Sequence, residues 1–157
     1  AFVAAVGAAI PEAATLERAV DAGLREIPRD SAAAEAVRFA RDRAGDANGA
    51  RHIRECYGAL PPFHTVNNLA LVVWALLSSP DDFGRALGEA VAAGLDTDCN
   101  GATVGGLWGL QGRPIPEAWT SPWRGRVAVS LAGIGEVALD ELVDRTCTVA
   151  GRIAREA

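Results

Sequence analysis

Apolar residues recur every three or four positions along most of the chain, and short polar stretches containing Pro or Gly separate these segments. Spacing of this kind is typical of helices that bury one face. The pattern predicts helices over 15–24, 31–44, 50–60, 66–78, 83–93, 101–110 and 136–155. A weak alternation over 126–131 predicts, at most, one minor short strand. The expected fold class is therefore all-α, a multi-helix bundle.

Two of these helices differ in how their apolar residues are arranged. Segment 69–77 has no polar side, and a helix that is apolar all round is buried on all sides. We therefore expect helix 66–78, with Thr65 as its N-cap, at the centre of the bundle. The last helix has a single apolar stripe, which should face inward; it consists of Leu139, Leu142, Val143, Val149 and Ile153.

The chain opens on an apolar stretch, residues 1–10, with neither a helix cap nor a basic region in front of it. A secretory signal peptide needs that basic region. We therefore interpret the stretch as part of an internal helix, and the chain as a fragment of a longer protein. Such a fragment should expose apolar surface, and should either self-associate or bind the missing part.

Composition and charge narrow the classes of protein. A chain of 157 residues has the length of one domain, and 50% hydrophobic residues are enough for a folded core. The net charge of −5 disfavours binding to nucleic acid or to an anionic membrane, and no apolar run approaches the ~20 residues of a membrane span. The three Cys residues are widely spaced and form no Cys-x-x-Cys pair, which favours a reducing, cytoplasmic location.

The candidate chemistry lies in a polar stretch of five residues, Asp96-Thr97-Asp98-Cys99-Asn100, before the predicted helix 101–110. In extended backbone, the side chains of Asp96 and Asp98 would point the same way. Carboxylate oxygens suit a hard divalent cation, or two cations that share ligands. The plainer alternative is that these residues only cap the helix. The metal interpretation is favoured by the apolar helices on both sides, among which unpaired charge would be costly.

Two other interpretations of this region find little support. The stretch matches the opening of an EF-hand calcium loop, but the twelfth position, which should be a bidentate Glu, is Leu107. A nucleophilic site formed by Cys99, His64 and Asn67 has no supporting local motif. We expect His64 to form structural hydrogen bonds at the entrance of helix 66–78.

Several segments, taken in order, resemble the ADP-ribosylglycohydrolase family, which includes dinitrogenase reductase-activating glycohydrolases and crystallin J1-like proteins. They are 63–68 (Phe-His-Thr-Val-Asn-Asn), 82–83 (Asp-Phe), 94–105 (Gly-Leu-Asp-Thr-Asp-Cys-Asn-Gly-Ala-Thr-Val-Gly) and 112–119 (Gly-Arg-Pro-Ile-Pro-Glu-Ala-Trp). The Asp-Thr-Asp sequence alone is a weak signal. Its combination with a small-residue helix and Gly-x-x-x-Pro is specific, and the resemblance runs over most of the chain.

The resemblance implies a longer all-α domain, an orthogonal bundle of the ADP-ribosylglycohydrolase type, with a dinuclear magnesium or manganese centre. It implies hydrolysis of the bond between ADP-ribose and a protein side chain, so the partner would be an ADP-ribosylated protein or ADP-ribose. Asp96 and Asp98 correspond to metal ligands. Cys99 stands where many members have a Thr or Ser ligand, and its thiol is a poor ligand for magnesium. Thr97 and Asn100 are further candidates for contact with metal or substrate.

Part of the family pattern is missing from the chain. The other metal ligands of the family form a Ser-Asp-Asp-Thr-like motif in its N-terminal half, and segment 79–83 is not that motif. We therefore interpret residues 1–157 as the C-terminal portion of one domain, whose main catalytic acid or base lies in the absent N-terminal half. The implied protein is a hydrolase that is inactive as this fragment. The alternative is a non-catalytic, crystallin J1-like structural or ADP-ribose-binding protein.

Overall fold

A computed structural model of the chain describes residues 1–130 and 132–156. Its regular elements are almost all helices, which confirms the all-α class. The helices are α1 (Phe2–Ala9), α2 (Leu16–Arg25), α3 (Ala32–Arg41), α4 (Gly49–Cys56), α5 (Thr65–Ser78), α6 (Phe83–Ala92), α7 (Thr97–Gly109), α8 (Glu117–Thr120) and α9 (Leu139–Glu156). They belong to two compact units, Ala1–Pro114 and Ile115–Ala157.

Helix α5 is the centre of the first unit. Helices α2, α3, α4, α6 and α7 all pack against it. Every residue from 69 to 77 is buried, as the apolar run predicts. The N-cap is His64 rather than Thr65, because the imidazole Nδ1 of His64 accepts a hydrogen bond of 3.2 Å from the backbone N–H of Val66.

The surrounding helices begin at ordinary side-chain caps. Thr15, Ser31 and Asp82 each accept a hydrogen bond from a backbone N–H in the first turn of α2, α3 and α6. Helix α1 buries Phe2 and packs against α2, where Gly23 leaves room for it. A Cβ at Gly23 would lie 2.5 Å from the Cγ2 of Val6, so glycine permits this close approach.

Three predicted helix boundaries in this unit are wrong. The helix expected over 31–44 ends at Arg41. The helix expected over 50–60 ends at Cys56, and turns occupy the residues that follow. The helix expected to begin at residue 101 begins at Thr97, so most of the presumed polar loop is its first turn. Acidic residues are favourable in the first turn of a helix, and this preference competes with the loop interpretation of Asp-x-Asp.

The second unit contains the short helix α8, a small hairpin and a long helix. Strands β1 (Arg126–Ala128) and β2 (Glu136–Ala138) pair antiparallel, with Val127 opposite Val137. Strand β1 confirms the predicted short strand, although residue 131, at the end of that prediction, lies outside the described residues. Strand β2 occupies residues that the sequence pattern had assigned to the last helix.

The apolar stripe of α9 does not face inward, which corrects the prediction. Its members are 37–61% exposed, and α9 has no buried residue among those described. Helix α9 packs against β2, whose Val137 is buried. The hairpin is too small to cover eighteen residues of helix, so most of the stripe is left on the surface.

In the described part of the chain, no helix combines the length and the apolar character needed to cross a bilayer.

Candidate metal centre

A tight turn joins α6 to α7 and positions the candidate ligands. Gly94 and Leu95 both adopt left-handed backbone, with φ of 82° and 63°. Glycine accepts this conformation without cost, whereas for Leu95 it costs about 1–2 kcal/mol. The start of the turn is held by Arg54 of α4, whose Nη1 donates a 2.6 Å hydrogen bond to the carbonyl of Ala93.

The turn delivers three side chains to one place at the beginning of α7. One ligand atom from each of Asp96, Asp98 and Cys99 lies within 4.8 Å of the others. Asp96 is at the N-cap position, and Asp98 follows in the first helical turn. The carboxylates therefore converge through the start of a helix, not through the extended backbone that the sequence argument assumed.

The capping alternative is not realised by Asp96. Although this residue occupies the N-cap position, its side chain makes no capping hydrogen bond to the helix backbone. Its carboxylate is half-buried, while Asp98 is exposed. Both lie at a helix N-terminus, where the partial positive charge of the backbone N–H groups offsets part of the repulsion between two acids.

The Cys99 thiol lies close to both carboxylates. It donates a hydrogen bond to Asp96, and this bond, together with the charges of Asp96 and Asp98, raises the pKa of the Cys99 thiol. The residue is exposed, so burial contributes least to the shift. A thiol is also a soft ligand, which a hard cation such as Mg²⁺ binds poorly.

The other two candidates of the sequence argument are placed differently. Thr97 is the first residue of α7 and is half-buried. The side chain of Asn100 points into the core with 3% exposure, and its Nδ2 donates a 2.8 Å hydrogen bond to the Oδ1 of Asn68. Asn100 thus contributes to the support of the cluster rather than to its exposed face.

Asn68 of α5 is the residue that joins the cluster to the core. Its Oδ1 also accepts a 3.1 Å hydrogen bond from the backbone N–H of Asp96. Its Nδ2 donates to the carbonyls of Pro62 and His64, at 2.7 and 2.9 Å. One buried amide therefore links the entrance of α5 to the start of α7.

From the sequence alone, Asn68 has no assigned function. A signal was nevertheless present, because two adjacent amides, Asn67 and Asn68, open an otherwise apolar helix. Buried amides are nearly always hydrogen-bonded, so such a pair indicates a polar connection inside the fold. Asn67 donates to the carbonyl of Pro61 at 3.0 Å, and the Nδ1 of His64 caps α5, so both side chains have structural roles at the entrance of this helix.

The donor set fits a hard divalent cation in part. Two carboxylates supply the oxygen ligands that Mg²⁺ and Mn²⁺ prefer, and the thiol does not add to them. Within residues 1–130 and 132–156, this is the one group of three or more His, Cys, Asp or Glu side chains close enough to share an ion. Mg²⁺ is usually bound by one or two carboxylates and several waters, whereas a dinuclear centre needs further ligands.

The family model described as ADP-ribosylglycohydrolase matches residues 1–153, nearly the whole chain. The chain belongs to the ADP-ribosylglycohydrolase family. Family members are glycosyl hydrolases that act on ADP-ribosylated substrates, and they are generally metal-dependent. Comparison with curated proteins and with solved structures gives no match.

Proposed function

We propose that this chain is part of a hydrolase that removes ADP-ribose from modified protein side chains with the help of magnesium or manganese. The observation that supports the proposal is the convergence of Asp96 and Asp98 at the start of α7, in a chain of this family. The substrate would be an ADP-ribosylated protein, and the site of action the cytoplasm.

Asp96 and Asp98 are the residues that would hold the cation. A bound divalent cation would lower the pKa of a water molecule for attack on the anomeric carbon of the ribose. The chain's own contribution is to keep the two carboxylates together. Asn68 holds the backbone of Asp96, and Arg54 holds the turn before it. The N–H groups at the start of α7 add a positive potential, which favours anionic groups of a ligand nearby.

We further propose that the remaining ligands of a dinuclear centre come from a preceding N-terminal half of the same domain. The proposal rests on the Ser-Asp-Asp-Thr-like motif of the family, which has no counterpart in the chain. Asp96 and Asp98 alone would bind the cation weakly, because metal affinity grows with the number of charged ligands. We expect the chain by itself to lack hydrolase activity.

Cys99 supports a second candidate function, a non-catalytic relative that binds ADP-ribose or has a structural role. A soft thiol beside the two carboxylates is a poor ligand for a hard cation. If the residue at position 99 normally completes one of two metal sites, a thiol there would leave that site incomplete. The protein would then bind ADP-ribose without hydrolysing its bond to the modified protein. The two candidates differ in whether ADP-ribose is released from a modified protein.

Binding of Mn²⁺ to the chain tests the metal site directly. Free Mn²⁺ has a strong electron paramagnetic resonance signal that weakens on binding, so weak affinities can be measured. We expect Asp96→Asn and Asp98→Asn each to abolish the loss of signal. The matched control is Asp81→Asn, because Asp81 is an exposed carboxylate outside the cluster. Equal binding by the wild type and Asp98→Asn would refute the metal assignment.

Release of ADP-ribose tests the reaction. The assay uses the chain joined to its N-terminal half, an ADP-ribosylated protein as substrate and Mn²⁺ or Mg²⁺. The hydrolase proposal predicts metal-dependent release of ADP-ribose that Asp98→Asn abolishes and Asp81→Asn does not. Binding of ADP-ribose without release would instead favour the non-catalytic relative. Release that continues after removal of metal with a chelator would contradict the proposed chemistry.

A further inference from the structure

Arginines gather around a recess formed by α2, α3 and the turn that joins them. The recess has a volume of about 730 Å³, within the roughly 300–1,000 Å³ of small-molecule sites. Four of its seven lining residues are basic and one, Asp21, is acidic; the basic residues are Arg25, Arg29, Arg38 and Arg41. The lining therefore has an excess of positive charge, although the whole chain has a net charge of −5.

Two of the arginines are held by contacts inside the recess. The Nη1 of Arg41 donates a 2.9 Å hydrogen bond to the Oδ1 of Asp21, which joins α3 to α2. The Nη2 of Arg38 donates a 2.8 Å hydrogen bond to the backbone carbonyl of Arg29, which joins α3 to the turn. Each bond uses one of the five N–H donors of a guanidinium group, so most donors are left for other acceptors.

The turn that carries Arg29 is itself ordered. The carbonyl of Pro28 accepts hydrogen bonds from the hydroxyl and from the backbone N–H of Ser31, at 2.7 and 3.1 Å. The same hydroxyl caps α3, because it accepts a 3.2 Å hydrogen bond from the N–H of Ala34. A turn that folding has already ordered loses little conformational entropy when a ligand binds.

The other two arginines have no partner in the protein. Within residues 1–130 and 132–156, the guanidinium groups of Arg25 and Arg29 form neither an ion pair nor a hydrogen bond. Glu26 and Asp30 follow them directly in sequence, but neither of these acids lines the recess. In the described part of the chain, Asp21 is the one acidic residue within ion-pairing distance of any of the four arginines.

Helix electrostatics explains only part of this arrangement. An arginine in the last turn of a helix is favourable by itself, and Arg25, Arg38 and Arg41 have such positions in α2 and α3. Arg29 lies outside any helix and gains nothing from this effect. Neither does the effect require all four side chains to line one concave surface, where like charges repel one another. A bound anion would relieve that repulsion.

The chemistry of the lining indicates the kind of anion. Guanidinium groups bind phosphate with two parallel hydrogen bonds, and several of them together suit a ligand with several negative charges. Leu24 and Ile27, both half-buried, give the recess an apolar part that can contact an organic group. A nucleic acid fits less well, because the chain as a whole is acidic.

We propose that the recess between α2 and α3 binds a small molecule that carries two or more phosphate groups. Arg25 and Arg29 bind the phosphates with their unpaired guanidinium groups, and Arg38 and Arg41 add donors that are already in position. The recess shares no residue with the candidate metal centre, and guanidinium groups bind phosphate without a metal.

The experiment is isothermal titration calorimetry on the full chain, with ATP and with inorganic triphosphate as separate ligands. Low ionic strength keeps the charges unscreened, and EDTA keeps divalent cations from joining the phosphates to Asp96 and Asp98. The result therefore does not depend on the proposed metal centre. Both ligands should bind. Tighter binding of ATP would assign the recess to an organic phosphate, whereas equal binding would assign it to inorganic polyphosphate.

Substitution of the unpaired arginines locates the binding. Arg25→Ala and Arg29→Ala should each weaken binding roughly 10-fold, because each removes a charged hydrogen-bond donor. Neither side chain has a partner in the protein, so circular dichroism should show unchanged helix content. The matched control is Arg51→Ala, because Arg51 is an exposed arginine of α4 that does not line the recess. This control should bind both ligands like wild type.

Three outcomes would overturn the proposal. Wild type that binds neither ATP nor triphosphate would show that the arginines are simply hydrated. Unchanged affinity in the double variant Arg25→Ala/Arg29→Ala would place the phosphates elsewhere. Binding that weakens as much in Arg51→Ala as in Arg25→Ala would show attraction to the arginines of the chain in general, not recognition by the recess.

Discussion

Replacing Asn68 with alanine removes the connection between the candidate metal centre and the central helix. Five hydrogen bonds are lost. Nδ2 donates three, to the carbonyls of Pro62 and His64 and to the Oδ1 of Asn67. Oδ1 accepts two, from the N–H of Asp96 and the Nδ2 of Asn100. The substitution leaves each of these partners in place without its bond. The cost therefore depends on whether each partner can reach water.

The five partners are not equally exposed. The Oδ1 of Asn67 is buried, but it keeps the hydrogen bond that it accepts from the backbone N–H of residue 68. The amide of Asn100 is buried at 3% exposure, and a buried group without a partner costs about 1–3 kcal/mol. Pro62 and His64 are exposed residues, so water can replace the lost bond and the cost is about 0.5 kcal/mol each. Asp96 is intermediate. We expect Asn68→Ala to lower the free energy of unfolding by about 2–4 kcal/mol, a large part of the 5–15 kcal/mol typical of a domain.

Urea unfolding followed by tryptophan fluorescence measures this loss. Trp74 and Trp108 are buried in the first unit, so a background of Trp119→Phe and Trp123→Phe removes the signal of the second. The midpoint should fall by about 1–3 M urea, given the usual slope for small proteins. The slope itself should not change, because the substitution affects a contact rather than the area exposed on unfolding.

Asn48→Ala is the matched control. Asn48 is exposed at the N-terminus of α4, and its side chain makes no capping hydrogen bond. The same chemical change there should alter the free energy of unfolding by less than about 0.5 kcal/mol. If Asn68→Ala were as stable as Asn48→Ala, the Asn68 hydrogen bonds would not hold the turn, and our account of how the cluster is positioned would be refuted.

Three further predictions concern packing, protonation and metal affinity. Gly49→Ala should lower the free energy of unfolding by about 2–3 kcal/mol, because the added Cβ would lie 2.1 Å from the Nε1 of buried Trp74. Gly88→Ala, where no atom lies within 4 Å of the added Cβ, should raise it by about 0.5–1 kcal/mol in the same urea assay. Burial raises the pKa of Tyr57, the single tyrosine, above the ordinary value of about 10. In absorbance titration, its midpoint should exceed that of the urea-unfolded chain, and the stability due to neutral Tyr57 should be lost as pH rises through that midpoint. Cys99→Thr supplies a hard hydroxyl ligand and should tighten Mn²⁺ binding several-fold, measured by paramagnetic resonance.

Each of these expectations has a contrary outcome. Destabilisation by Gly88→Ala equal to that by Gly49→Ala would show that contact with the indole does not explain the effect. Coincident titration of Tyr57 in folded and unfolded chains would exclude a desolvated phenol. Mn²⁺ binding that improves as much in Cys99→Ala as in Cys99→Thr would show that removal of the thiol, rather than the new hydroxyl, matters.

The central helix and the candidate site differ in how far the sequence predicts them. Helix α5 was predicted because a run without polar residues, 69–77, is stable only where other elements surround it. The sequence also predicts that Asp96 and Asp98 converge. The prediction rests on extended backbone, whereas in the structure the two residues lie at the start of a helix. Local sequence does not separate a loop before a helix from the first turn of that helix, since the same acidic residues favour both.

What the sequence could not provide was the identity of neighbours distant along the chain. The stripe of α9 shows that one face is apolar, but the pattern is the same whether a core or a second molecule covers it. Asn68 is likewise visible as a polar residue in an apolar helix, yet its partners Asp96 and Asn100 lie 28 and 32 positions away. Only the folded chain shows that one amide serves both.

The turn before α7 is held at both ends, at the carbonyl of Ala93 by Arg54 and at the N–H of Asp96 by Asn68. The two carboxylate residues therefore lose little further conformational entropy when a ligand binds, because folding has already restricted them. For the same reason, the amide hydrogen of Asp96 should exchange with solvent only when α5 itself opens. Hydrogen exchange at the candidate site would then report global unfolding, although the site is on the surface.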